Sequence, residues 1–115
     1  MNFELSQEQL SFAEAAKDFA AGELAPHAAL WDQECIFPKQ AFRRAGEMGF
    51  CSIYAAQAIG GLGLPRLDST LVFEELAAVD PSTTAFLTIH NMATWMLGEW
   101  GTEVVKEQWG IDLIL

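Results

Sequence analysis

Basic side chains are scarce in this chain. Six Lys and Arg stand against 16 Asp and Glu among 115 residues, a formal net charge of −10. Nucleic-acid binding depends on clustered Lys and Arg, and Arg43-Arg44 is the one adjacent basic pair, so that class of function is set aside. The acidity reads as ordinary solubility. Cysteine is almost missing too. Cys35 and Cys51 form no CxxC and no metal-ligand spacing. Two thiols without a leader suit a reducing compartment, and Met1-Asn2-Phe3-Glu4-Leu5 has neither the basic nor the apolar region of a signal peptide. No apolar run reaches the roughly 20 residues of a membrane span, because Ser, Thr, His and Asn interrupt the longest one. Repeats, low-complexity segments and strand-like alternation are absent. The chain is 51% hydrophobic and 19% charged, a globular composition with length enough for one domain with a core.

Helical periodicity is what the sequence does contain. Ser6 and Gln9 form a capping-box pair, followed by Leu10, Ala13, Ala16, Ala20 and Leu24 at helical spacing. Pro26 should bend or end that helix, and the pattern resumes toward Trp31. A second helix starts at Phe37-Pro38, carries Ala41, Phe42, Ala45 and Met48, and stops at Gly49. Residues 50–65 read as an irregular connection packed by its own apolar side chains, with tight turns at Gly60, Gly61 and Gly63. A third helix is expected over 68–79. Asp80-Pro81 then caps and opens a fourth, which Gly98 or Gly101 ends. Thr102 caps a short polar helix, and an apolar tail, Gly110-IDLIL, follows it. The expected fold is all-α: a bundle of four or five helices over residues 1–115, packed around the 81–98 segment.

That segment has no formally charged side chain from Pro81 to Gly98, apart from any protonated His90. Its apolar residues point in every direction on a helical wheel, which predicts burial on all sides. His90, Asn91 and Thr94 put polar groups in its middle. They are either satisfied core side chains or part of a ligand pocket's wall, and the residues alone leave both open.

Other candidate chemistry is thin. Gly60-Gly61-Leu62-Gly63 lacks the GK[ST] ending and the preceding strand of a phosphate loop. A di-iron carboxylate bundle needs Glu-x-x-His, but Leu24 and Leu87 stand three residues before His27 and His90. Neither cysteine lies in a nucleophile signature. His27 reads as a surface or capping side chain.

Leu5-SQEQ, Phe19-AAGELAPHAALWD, Ile36-FP, Gly46-EMGF, Gly60-GLGL, Phe73-EELA, Ser82-TTAF and Trp100-GTEVVKEQW occur in an order that resembles the N-terminal helical domain of the acyl-CoA dehydrogenase family. Trp31-DQECIFP, Pro65-RLDSTLVFEELA and Ser82-TTAFLTIHNMATWM look most like the branch that acts on short branched thioesters such as isobutyryl-CoA. The resemblance implies a homotetrameric flavoenzyme that binds FAD and an acyl-CoA. A glutamate removes the α-proton, the β-hydride passes to the flavin, and electrons leave through an electron-transfer flavoprotein. It implies a bacterial cytoplasmic or mitochondrial matrix location.

The resemblance also implies that the flavin-binding segment, the central β domain, the C-terminal helical domain and the catalytic glutamate lie downstream of Leu115. The chain alone is then expected to be inactive, with no catalytic, cofactor-binding or metal residue of its own. Its contribution would be a wall of the acyl pocket, carried onto Phe86, Leu87, His90, Asn91 and Thr94. Ile59 departs from the aromatic residue that relatives often carry before the Gly-Gly pair, which leaves the shape of the 55–64 loop open. A rival reading is a non-catalytic helical module that binds a protein partner through apolar surface, with Ile111–Leu115 as a candidate patch.

Overall fold

A computed structural model describes residues 1–114, and it is helical with no strand among them. The elements are α1 (Gln7–Phe19), a wide π-type turn (Ala20–Leu24), α2 (Ala28–Gln33), α3 (Lys39–Glu47), a 3₁₀ turn (Gln57–Ile59), α4 (Arg66–Ala77), α5 (Pro81–Trp100) and α6 (Glu103–Ile114). The all-α expectation holds, with six α-helices in place of four or five. The additional helix is α2. Pro26 has no N–H to offer the carbonyl of Gly22, and the chain opens into the π-type turn just before it, with Ala25 N–H bonding Ala20 C=O at 2.9 Å.

The helix ends follow the local chemistry. Ser6 Oγ accepts from Gln9 N–H at 3.1 Å, and Gln9 Oε1 accepts from Ser6 N–H at 3.0 Å. The same Gln9 donates through Nε2 to the buried Asp68 carboxylate at 3.0 Å, so one side chain closes α1 and fastens it to α4. Asp80 caps α5, accepting from Ser82 N–H and Thr83 N–H at 3.1 and 3.2 Å. At the far end of α3, Phe50 N–H bonds Ala45 C=O and Gly49 N–H bonds Gly46 C=O, both at 2.8 Å, the paired bonds of a Schellman stop. Gly101 ends α5. Gly98 lies inside that helix, where a Cβ would come within 2.8 Å of Ile59 Cδ1, so the glycine lets the 3₁₀ turn approach.

The core joins Ala16, Phe19, Ala20 and Leu24 to Ala41 and Ala45 of α3, Phe50, Cys51 and Ile53 of the connection, and Val72, Leu76 and Leu87. The 50–64 connection is ordered by its own backbone. Leu62 N–H bonds Ser52 C=O, Leu64 N–H bonds Ile53 C=O, and Gly63 N–H bonds Ala55 C=O, at 2.8 to 3.0 Å. Positive φ at Gly60 and Gly63 makes its turns possible. Arg66 holds the outside of this connection, with its guanidinium 4.0 Å from the Tyr54 ring centre and 4.7 Å from that of Trp95.

Two expectations are corrected. α5 is not buried all round. Thr83, Thr84, Leu87, Asn91 and Thr94 form its buried stripe, while Ile89 is 60% exposed and Phe86, Met92, Met96 and Trp100 are also open. The cause is the flatness of the molecule. It measures 43 × 40 × 19 Å, with a radius of gyration of 14.6 Å against about 13 Å for a compact domain of this length. At about 10 Å per helix, 19 Å is two layers, too thin to enclose a helix. The second correction concerns the tail. Gly110 through Ile114 continue α6, with Gly110 buried 3.9 Å (as an ideal Cβ) from Ile59 Cβ. Leu115 of the candidate Ile111–Leu115 patch lies outside the described residues.

Asn91 is fully buried and bonds two limbs of the structure. Nδ2 donates to Phe50 C=O at 2.7 Å and to Leu87 C=O at 2.9 Å, and Oδ1 accepts from Ile53 N–H at 2.7 Å. Among the described residues the hydroxyl of Ser52, 1% exposed, has no partner. The two residues give opposite expectations. Asn91→Leu should lower the unfolding free energy by about 3 kcal/mol, since it orphans buried backbone groups. Ser52→Ala should leave stability unchanged or raise it by about 1 kcal/mol. Urea unfolding of both variants measures the contrast, and a cost below about 1 kcal/mol for Asn91→Leu would mean the connection holds without it.

Candidate functional site

The five sequence-predicted wall residues divide by position along α5. Asn91 and Thr94 are fully buried, and their polar atoms are engaged: Thr94 Oγ1 donates to His90 C=O at 2.9 Å, one turn back. Leu87 is 1% exposed. Phe86 and His90 keep open surface. Phe86, Leu87 and His90 come together around a cavity of about 270 Å³ between α3, α5 and α6, which Phe37, Phe42, Cys51 and Leu113 also line. Asn91 and Thr94 do not line it.

Phe86 belongs to an aromatic cluster. Its ring centre is 4.9 Å from Phe37 and 4.6 Å from Phe42, which are 4.8 Å from each other. His90 stacks 6.5 Å away, and its Nε2 lies 2.6 Å from Leu113 C=O. A carbonyl only accepts, so Nε2 carries the proton and donates. His90 therefore satisfies a carbonyl in the last turn of α6, a helix end where a donor is favoured.

Sequence reasoning missed the other flank of α5. Ala85, Ile89, Met92 and Met96 recur at spacings of three and four and form one exposed apolar stripe, with Phe86 and Trp100 beside it. The signal was available, because Thr84, Asn91 and Thr94 already share the opposite side of the wheel. A polar stripe can turn inward when each group finds a partner.

Gly60-Gly61-Leu62-Gly63 has no free phosphate cradle. Gly61 N–H bonds Ala56 C=O at 3.1 Å, and Leu62 and Gly63 donate to Ser52 and Ala55. A Cβ on Gly61 would stand 2.3 Å from Ala55 O. Its amides and its close approach both serve the connection itself, so these residues do not fit a flavin's phosphates. Among the described residues no cluster of three or more His, Cys, Asp or Glu could hold a metal, and no helix is long and apolar enough to cross a membrane.

A two-layer helical domain with an open apolar helix face is the class that this geometry defines. Residues 6–114 match the family described as acyl-CoA dehydrogenase, N-terminal domain. The chain belongs to the acyl-CoA dehydrogenase family. It is 46% identical over 99 residues to the mitochondrial isobutyryl-CoA dehydrogenase of Bos taurus, covering 86% of this chain and 24% of that protein. It is 42% identical over 110 residues to the mitochondrial isobutyryl-CoA dehydrogenase of Dictyostelium discoideum, covering 96% and 26%. A solved structure of PigA with FAD and proline superposes with a TM-score of 0.89 at 26% identity, covering 99% of this chain and 30% of that one. The chain thus spans about a quarter of the length of the curated relatives it matches.

Burial pushes the Cys51 thiol up from its ordinary 9.0 to about 11, whereas Cys35 is exposed. The thiolate is the reactive form, so at pH 8 a thiol reagent should label Cys35 and leave Cys51 intact until the chain is unfolded. The same shift makes stability fall as pH rises from 9 toward 11, because the unfolded chain sheds this proton first. Peptide mapping after iodoacetamide treatment checks the labelling, and equal labelling of both cysteines in the folded chain would contradict the burial.

Proposed function

We propose that this chain is the first domain of a flavin-dependent acyl-CoA dehydrogenase that forms a 2-enoyl-CoA from a short branched acyl-CoA such as isobutyryl-CoA. The observation that carries this reading is the uncharged, open stripe of α5 in a chain whose relatives at 46 and 42% identity are isobutyryl-CoA dehydrogenases. A substrate can meet α5 only where the helix has free surface. Ile89 and Met92, with Ala85 on one side and Phe86 at the edge, supply that surface. Leu87, Asn91 and Thr94 act from behind as positioning residues, and His90 ties α5 to α6.

The stripe offers only shape and apolar contact, so its part is selection among acyl groups. FAD would supply the hydride acceptor when bound; the structural relative PigA is solved with FAD and proline. The Gly60–Gly63 loop, whose amides are taken by its own connection, supports a reading in which the flavin and the base that takes the α-proton belong to the longer enzyme. An electron-transfer flavoprotein as acceptor, a homotetrameric assembly, and a bacterial cytoplasmic or mitochondrial matrix location complete the reading.

One methylene in such a pocket is worth about 1–3 kcal/mol, or roughly 10- to 200-fold in kcat/KM. In the longer enzyme, Ile89→Ala and Met92→Ala should each shift preference from isobutyryl-CoA toward longer acyl chains by about tenfold or more. Steady-state kinetics with isobutyryl-, butyryl- and hexanoyl-CoA measures this, and an unchanged ratio would remove the stripe from the pocket. The 115-residue chain purified alone should show no flavin absorbance; stoichiometric flavin would overturn the assignment of the cofactor elsewhere.

A further inference from the structure

Two of the six basic residues stand at the mouth of the cavity between α3, α5 and α6. Lys39 and Arg43 are one turn apart on α3 and both line it. Neither forms an ion pair among the described residues, although the chain has 16 acidic side chains; Arg44 and Lys106 are the bases that do. Among the described residues Asp112 is the one acidic side chain lining the cavity, so the described charged side chains around it sum to a single positive charge. The interior is apolar: Phe37, Phe42, Phe86, Leu87 and Leu113, with the Cys51 thiol among them.

We infer that this cavity binds a small amphiphilic monocarboxylate, its hydrocarbon tail among the phenylalanines and its carboxylate at Lys39 and Arg43. The two features select together. An apolar cavity alone would take any hydrocarbon, and two cations alone would take any anion. A single excess positive charge favours a monoanion over a dianionic phosphate. At roughly 30 Å³ per water-sized group, 270 Å³ holds about nine heavy atoms, an acid of about five to seven carbons. A coenzyme A thioester does not suit it. Its carbonyl end is uncharged, and its phosphates lie far beyond the reach of a cavity this size. The site is therefore distinct from the α5 stripe proposed to face the acyl-CoA, which lies on the other flank of Phe86.

The test needs neither flavin nor turnover, so its failure and that of the dehydrogenase reading are separable. The 115-residue chain is titrated with acetate, butyrate, hexanoate and the neutral hexanamide, and binding is followed through backbone amide shifts. Hexanoate should saturate shifts at Phe42, Leu87 and His90, with affinity rising about fourfold per added methylene across the series. Lys39→Gln/Arg43→Gln, both at exposed positions, should weaken hexanoate at least tenfold and leave hexanamide unchanged. Far-ultraviolet circular dichroism confirms that this variant folds. Equal binding of hexanoate and hexanamide by the unmodified chain would overturn the carboxylate assignment. Equal binding of acetate and hexanoate would overturn the tail assignment. Absence of saturation by about 10 mM, a free energy weaker than roughly −3 kcal/mol, would overturn the site.

Discussion

The structure depends on one buried amide. Asn91 has no exposed surface, and its side chain bonds Phe50, Ile53 and its own helix at Leu87. Fifteen residues of connection have no helix of α type to satisfy their backbone, and their interior N–H and C=O groups need partners. The connection pairs part of them within itself, through three backbone bonds between residues 52–55 and 62–64 and local turn bonds over 56–61. Asn91 supplies the bonds that fasten this self-paired unit to α5. An apolar residue there would match the rest of the core in hydrophobicity and leave two backbone groups stranded, which costs more than the burial gains.

That bond explains the inverted chemistry of α5. The helix turns Thr83, Thr84, Asn91 and Thr94 inward and leaves Ile89, Met92 and Met96 outside, against the usual amphipathic sense. Each inward polar group has a partner: Asp80 for the two threonines, the connection for Asn91, and the His90 carbonyl for Thr94. Satisfied polar groups cost little to bury, so the apolar side chains are free to face outward. In a slab 19 Å thick that outward face is wide and open. A helix placed this way is stable from behind and available in front, which is what a wall for an apolar substrate group requires.

Local signals in the sequence located the helices well because their ends are short-range chemistry. Ser6 with Gln9, Asp80 with Pro81, and Gly49 each act through atoms a few residues away, and each stands in the structure as the spacing implies. The helix count differed at Pro26, where a proline's effect depends on whether the chain can open a wider turn before it. The candidate site was only partly legible. Its helix and its uncharged character were plain, but which side faces the interior was not. That orientation is fixed by contacts 38 and 41 residues apart, from Asn91 to Ile53 and Phe50, and periodicity carries no information at that range. The structure gathers Phe86, Leu87 and His90 at one cavity, while Asn91 and Thr94, which the family resemblance placed on the same wall, are buried and hydrogen-bonded behind it.

The loop Gly60–Gly63 shows why the chemistry is sought elsewhere. A glycine-rich segment holds a phosphate when its amides point outward unpaired. Here Gly61, Leu62 and Gly63 all donate to backbone carbonyls of the same connection, and Gly61 is needed so that two strands of chain can touch. The glycines thus serve the unit that Asn91 anchors. Placing a flavin there would break the bonds that orient α5. The same glycines cannot both hold the connection together and cradle a phosphate, so this loop is committed to orienting α5 and its open apolar face.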